Sequence, residues 1–214
     1  MFRRRKQEER STDPAQSADE AAPAAEPLPA GTGPFDAADV EIGDDPLRVD
    51  LGSLVVKSGP GLELQLQVDE ASQLVAAVML VSQTGAVELR PFAAPRNEGI
   101  WDDVRKELAA EATRRGGTAS EMTGEYGKEL HIVAPVTGPR GEQLRQPSRV
   151  IGVDGPRWML RATFFGSAAS DPDSGGVLEQ ALRDVVVVRG SAPIPPRAPL
   201  PLRMPGNVQP MDLG

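Results

Sequence analysis

The 214-residue chain has no cysteine and a single histidine, and each scarcity removes a class of chemistry. Without Cys there is no thiolate nucleophile, no disulfide, and no sulfur ligand for zinc or an iron–sulfur cluster. A chain without disulfides also fits a reducing compartment, so a cytoplasmic location is expected. A Ser-His-Asp triad needs an imidazole held between a nucleophile and an acid. His131 is the only imidazole, and no serine stands in a nucleophile-elbow pattern. His131 lies in opposite phase to Leu130 and Ile132, which reads as a structural or surface residue. No spacing of acids favours a metal site around it. No catalytic residue, metal or cofactor is therefore expected, and an enzyme is the less favoured class.

Long apolar runs are lacking as well. The longest extends from Leu74 to Val81, whereas a membrane-spanning helix needs about 20 such residues. Met1-Phe-Arg-Arg-Arg-Lys6 looks like the charged start of a signal peptide, but no hydrophobic segment follows it. Arg3, Arg4, Arg5 and Lys6 can touch an anionic membrane surface, each gaining about 1 kcal/mol. Stable anchoring takes a second signal, so a solubilising terminus is the preferred reading. Clustered positive charge is scarce too. The net charge is −8 and the isoelectric point about 4.8. Nucleic-acid binding relies on clustered Lys and Arg that displace counterions, so nucleic acid is not an expected partner.

What is present divides the chain in three. Hydrophobic residues make up 39%, below the usual share of a fully packed chain, so part of it is expected to stay unpacked. Residues 7–46 hold eleven acids and one base, Arg10, while residues 47–190 hold nineteen acids and sixteen bases, a net of −3. Residues 1–45 are rich in Ala, Pro, Glu and Asp without apolar period. They are expected to form a disordered acidic head. Residues 46–190 are expected to form a single α+β domain. Residues 191–214 are proline-rich and suit an extended strap whose leucines can pack on the domain.

Periodicity assigns the elements of the domain. Leu62, Leu64, Leu66 and Val68 alternate with polar residues, as in a half-buried strand. Leu74–Val81 reads as a central strand, and the turn Gln83-Thr-Gly85 leads into a third over 86–92, completing an antiparallel meander. Ile100, Val104, Leu108 and Ala112 share one face of a helix over 100–115. Asp102 and Asp103 open it, and Gly116-Gly117 stops it. Strands follow over 118–123, 128–136, 150–153 and 158–165, with a polar loop over 137–147 and a turn at Asp154-Gly155-Pro156. A second helix is expected from Ser174 or Gly175 to about Val187, yielding to a strand near the β-branched run Val185–Val188. The expected fold is α+β, a mainly antiparallel sheet with two helices. Leu89-Arg90-Pro-Phe92 and Leu160-Arg161-Ala-Thr-Phe164 echo each other, which allows two similar βββα halves.

Several strings occur together: Gly33-Pro-Phe-Asp36, Asp50-Leu-Gly-Ser53, Phe92-Ala-Ala-Pro-Arg96, Trp101-Asp-Asp-Val-Arg105, Gly152-Val-Asp-Gly-Pro-Arg-Trp158, Val186-Val-Val-Arg-Gly190 and Pro199-Leu-Pro-Leu202. Over residues 33–205 the chain resembles an actinobacterial family of unknown function, domain of unknown function 3710. The resemblance implies a cytosolic bacterial protein. It brings no activity and no site residues.

The residues left to consider are arginines. Gly138-Pro-Arg-Gly141 with Arg145 and Arg149 lacks a phosphate-loop pattern and reads as a solvated hairpin loop. Arg157 and Arg161 are expected on one strand face, and Arg90 and Arg96 bracket the end of the third strand. If the sheet gathers these four, they make an anion-binding surface; the competing reading pairs each with a local acid such as Glu88 or Asp154. The leading expectation for function is a non-enzymatic interaction or adaptor module with a protein partner. The first rival is a binding protein or enzyme for a small anionic ligand held by Arg90, Arg96, Arg157 and Arg161. The second is a nucleic-acid accessory protein.

Overall fold

Alternating burial along three neighbouring strands organises the molecule. The computed structural model describes residues 33–171 and 176–205. In chain order they form β1 (Phe35–Asp36), β2 (Arg48–Asp50), β3 (Leu54–Lys57), β4 (Glu63–Val68), β5 (Val75–Ser82), β6 (Gly85–Ala93), helix α1 (Trp101–Arg114), β7 (Thr118–Gly124), β8 (Gly127–Thr137), β9 (Gln143–Gly155), β10 (Trp158–Gly166), the short α2 (Ser167–Ser170), α3 (Gly176–Arg183) and β11 (Val186–Val187). The fold is α+β and mostly antiparallel, with three helices where two were expected. Strands β4 to β10 build one sheet in the order β4-β5-β6-β10-β9-β8-β7, and a small second sheet runs β1-β11-β3-β2.

The two faces of the large sheet carry separate cores. On one face Val78, Leu80, Leu89, Leu160 and Phe164 pack with Leu54 and Val56 of the small sheet and with Leu178 and Leu182 of α3. On the other face Leu130, Val150 and Met159 pack beneath Ile100 and Trp101 at the start of α1. Each large side chain so buried stabilises the fold by about 1.5–3 kcal/mol. The first strand set has three strands before α1, whereas the second has four before α2, and α1 and α3 cover opposite faces. The two sets are therefore not copies of one βββα unit.

Helix α1 is seated by neighbours as much as by its own sequence. Its N-terminal N–H groups at Ile100 and Trp101 donate to the Asp154 carboxylate of β9, at 2.9 and 3.2 Å. The Trp101 indole N–H donates to the Lys128 carbonyl at 2.7 Å. Gly116 takes the left-handed backbone, φ 79°, that ends the helix. Arg105 rather than a leucine is the buried mid-helix residue, held by Asp102 and Glu121. These bonds hold both carboxyls below their ordinary range, working against desolvation.

Both ends of the domain reach beyond the expected boundaries. Phe35–Asp36 pairs with β11, and the Asp36 carboxylate accepts the buried Trp158 indole N–H at 2.6 Å. The proline-rich strap runs along the end of β6: Ala93 and Leu200 N–H groups donate to the carbonyls of Ala198 and Pro91, each at 2.9 Å. Leu200 and Leu202 are buried, and Leu202 bridges both Gly52 and Val75. The rest of the expected head, residues 1–32, lies outside the described residues, as do the cations Arg3–Lys6 and the last nine residues of the tail. The segment read as a polar loop is mostly ladder, since Val133–Thr137 pairs with Gln143–Pro147 and only 138–142 turn. Helix α3 ends at Arg183, and the β-branched residues after it form β11.

Candidate functional site

Along β6 and β10 one residue in two is buried and the alternate ones are half-exposed. The half-exposed set lies on the same face as α1, which packs mainly on β7, β8 and β9 and whose N-terminus also covers Met159 of β10, with Phe92 of β6 alongside. The rest of that face, over β4, β5 and the stretches of β6 and β10 away from Phe92 and Met159, is left open. The register places Met79, Glu88 and Thr163 in one row across it, with Arg90 opposite Arg161 in the next. Phe92 and Phe165 lie on the same face, two or four residues along their strands.

Two arginines directly opposite on antiparallel strands have Cβ atoms about 4.5–5.5 Å apart and repel unless an acid intervenes. Glu88 is that acid. Arg90 grips it with two bonds, Nε to Oε1 at 2.8 Å and Nη2 to Oε2 at 3.2 Å, and also reaches Gln67 Oε1 at 3.4 Å. Arg161 Nη2 stays 3.9 Å from the same carboxylate, too far for a hydrogen bond. Its guanidinium carbon lies 5.4 Å from the Phe92 ring centroid, within cation–π reach. The Arg161 Nε is buried with no acceptor, while 19% of the side chain remains exposed. Burial, and then the charge of Arg90, push the Arg161 guanidinium below its ordinary value, with Glu88 opposing. The arrangement is two cations sharing one anion on a half-dry surface.

Arg96 and Arg157 stand elsewhere. Arg157 occupies the tight turn between β9 and β10 with a left-handed φ of 64°, and its carbonyl accepts from Ala94 N–H at 2.9 Å and Arg189 Nε at 3.0 Å. Arg96 is exposed in the loop before α1. Neither side chain has an ion pair among the described residues. Four residues along the strands separate Arg157 from Arg161, about 13 Å. The sheet thus brings Arg90 and Arg161 together and leaves Arg96 and Arg157 at its end.

A second charged cluster was not foreseen. Arg149 is buried on the opposite face, stacked 4.5 Å from the Phe164 ring centroid, and its Nη2 bonds Glu179 of α3. Glu129 lies 3.9 Å from Arg149 Nε, and its Oε1 accepts from His131 Nε2–H at 2.7 Å. The Tyr126 hydroxyl is buried nearby without a partner, and burial pushes its ionisation well above the usual range. These groups tie α3 to the sheet. Ser120 is the register partner of His131 on β7. Phase alone placed His131 on this face; nothing in the local pattern marked Arg149 as buried. Among the described residues no group of three His, Asp or Glu side chains is arranged to hold a metal. No helix among them is long and apolar enough to cross a membrane.

The fold and this surface define an α+β protein with one half of a large antiparallel sheet face left open. The chain belongs to the family described as protein of unknown function (DUF3710), whose family model matches residues 33–211. No curated protein sequence matches it. Two solved structures share partial likeness. A crystal structure from Bacteroides thetaiotaomicron has 9% identity and a TM-score of 0.37, covering 67% of this chain and 48% of that one. The chain thus spans about half the length of the Bacteroides protein. The solution structure of cyanobacterial PsbP from Synechocystis has 8% identity and a TM-score of 0.34, covering 63% of this chain and 86% of that one. Likenesses at this level bring no functional reading to the chain.

Proposed function

We propose that this protein is a non-enzymatic interaction module of the actinobacterial cytoplasm that docks a protein partner on the open part of the large sheet. One observation carries the reading: Arg90 and Arg161 stand opposite each other against the single carboxylate of Glu88, with Met79, Phe92 and Phe165 around them. Arg, aromatic residues and Met are the types enriched in protein interfaces. One half-buried positive charge is left uncompensated, and an incoming carboxylate would relieve it through charge-assisted hydrogen bonds. A sheet face is broad and shallow, which suits a protein surface better than an enclosed small molecule. The cysteine-free composition and the family resemblance support the cytoplasmic, actinobacterial setting.

A photo-crosslinking residue in place of Phe165, in the full chain inside its host cell, tests this. A discrete adduct with another protein is expected. It should vanish when Arg161→Gln is added and be missing when the crosslinker replaces Arg140 on the exposed hairpin. An adduct indifferent to Arg161, or none at all, refutes the docking reading. If instead inorganic phosphate raises the melting temperature of the wild type but not of Arg161→Gln, the pair serves a small anion.

A further inference from the structure

We infer that the occupant of the open face is an amphipathic α-helix of the partner, laid beside α1 and presenting one carboxylate from its apolar side to Arg161 and Arg90. The inference rests on the docking reading above and gives the partner a shape. Strands in a sheet lie about 4.8 Å apart, so β4, β5, β6 and β10 form a strip about 19 Å wide. A helix with its side chains is about 10–12 Å across, and neighbouring helices pack about 8–10 Å apart. One helix therefore fits next to α1 as a second member of the same layer.

The lining favours that guest over an extended segment added at a sheet edge. The strip is read from above, through side chains, and its backbone groups are already paired from β5 to β10. Met79, Val81 and Phe165 flank the charged centre, Phe92 borders it where it packs toward α1, and β4 adds the polar margin Glu63, Gln65 and Gln67. Anchors at i, i+3, i+4 and i+7 of a helix cover such a patch, with the acid among them. Charge sets the sign of the central residue. Arg90 already satisfies Glu88 with two bonds, so Arg161 is the group left to receive a new carboxylate. Along the near flank of α1, Arg197 bonds both Glu107 and Asp103, at 2.6 and 3.1 Å. One cation against two carboxylates leaves that flank with a net negative charge, so the attraction for a guest carboxylate comes from the floor.

The probe is a fluorescein-labelled 18-residue Ala/Leu/Lys helix carrying one Glu at the centre of its leucine face, titrated with the full-length protein by anisotropy. Two comparison peptides replace that Glu by Gln or place Pro beside it. Saturable binding of the Glu peptide is expected, about tenfold tighter than the Gln peptide. Arg161→Gln should erase that tenfold preference, while Phe165→Ser should weaken both peptides alike and keep it. Circular dichroism of each variant should match wild type, because Glu88 keeps Arg90. Equal affinity for the Glu and Gln peptides, equal binding of the Pro peptide, or no binding overturns the helix. So does a concentration-dependent dimer in sedimentation that Arg161→Gln abolishes, which would seat a second copy on the face. An Arg161-dependent adduct from the Phe165 crosslinker, together with failure of all peptides, would sink the helix and leave the docking reading standing. Loss of both would remove both.

Discussion

Substituting Gly152 by Ala probes how α1 is seated on the large sheet. A Cβ at this position would clash with Cδ2, Cε3 and Cγ of the Trp101 ring. The ring is not free to slide, because its Nε1–H donates to the Lys128 carbonyl at 2.7 Å and its backbone N–H is held by Asp154 at 3.2 Å. Overpacking costs about 1–3 kcal/mol, and losing the indole hydrogen bond adds about 0.5–1.5 kcal/mol. The expected loss is about 2–4 kcal/mol. Gly59→Ala is the control, since nothing lies within 4 Å of its new Cβ; it should stay within about 1 kcal/mol of wild type. Urea unfolding followed by far-UV circular dichroism measures both without relying on Trp101. Trp101→Ala alone should cost about 3–5 kcal/mol. In that background Gly152→Ala should cost under about 1 kcal/mol, because the ring it strikes is gone. Additive losses in the double mutant, or a Gly152→Ala as mild as Gly59→Ala, would refute this seating.

Leu108, on the inner face of α1, is half-buried rather than fully enclosed, so Leu108→Ala should cost about 1–3 kcal/mol, below the full-burial range, while Lys106→Ala should stay within about 0.5 kcal/mol; equal losses in urea melts would put the wrong face inward. Deleting residues 1–32 should move the melting temperature by only a few degrees. Deleting 1–45 removes β1 and leaves the buried Trp158 N–H without Asp36, an expected drop of about 5–10 °C; matching melts for the two truncations would show that β1 contributes nothing. Asp102 and Glu121 have folded values below their unfolded ones because they hold Arg105. Their contribution is complete above the ordinary carboxylate value near about pH 4 and fades as pH falls through the depressed values. Urea midpoints should therefore fall more steeply below about pH 4 in wild type than in Arg105→Gln, and parallel curves would contradict the assignment.

The meander β4–β6 and helix α1 were legible because their faces are half wet, which prints a period of two or of 3.6 on the sequence. Of the arm formed by Val133–Thr137 and Gln143–Pro147, the first strand was expected as far as Val136, but the second was not, because Gln143–Pro147 is exposed on both sides and held by its hydrogen-bond ladder to β8. Strands β1 and β11 are two residues each and carry no period; the β-branched run Val185–Val188 marked β11, whereas nothing marked β1. Of the four arginines considered as one surface, Arg90 and Arg161 are the two that meet. Their meeting depends on the β6–β10 register across 71 positions, which no local pattern reveals. Arg157 was assigned to a strand face, but Pro156 and the left-handed φ at Arg157 put it in the turn. Arg149 was read with a solvated hairpin loop, since the sequence does not show that Glu129 and Glu179 are its partners.

The order β1-β11-β3-β2 has a consequence for how the molecule is made. Strand β11 lies between β1 and β3, so a nascent chain cannot fix β1 in place until residues 186 and 187 have been synthesised. Leu202 then joins Gly52 to Val75. The β2–β3 pairing of the small sheet can form early, but both pairings of β11 and the Leu202 bridges wait for residues 186–202. Such long-range closure slows folding and keeps the early strands exposed. A stalled or prematurely terminated product would present β3 and the apolar face of β5 and β6 uncovered, and quality-control proteases would meet it as an unfolded chain rather than as a smaller domain.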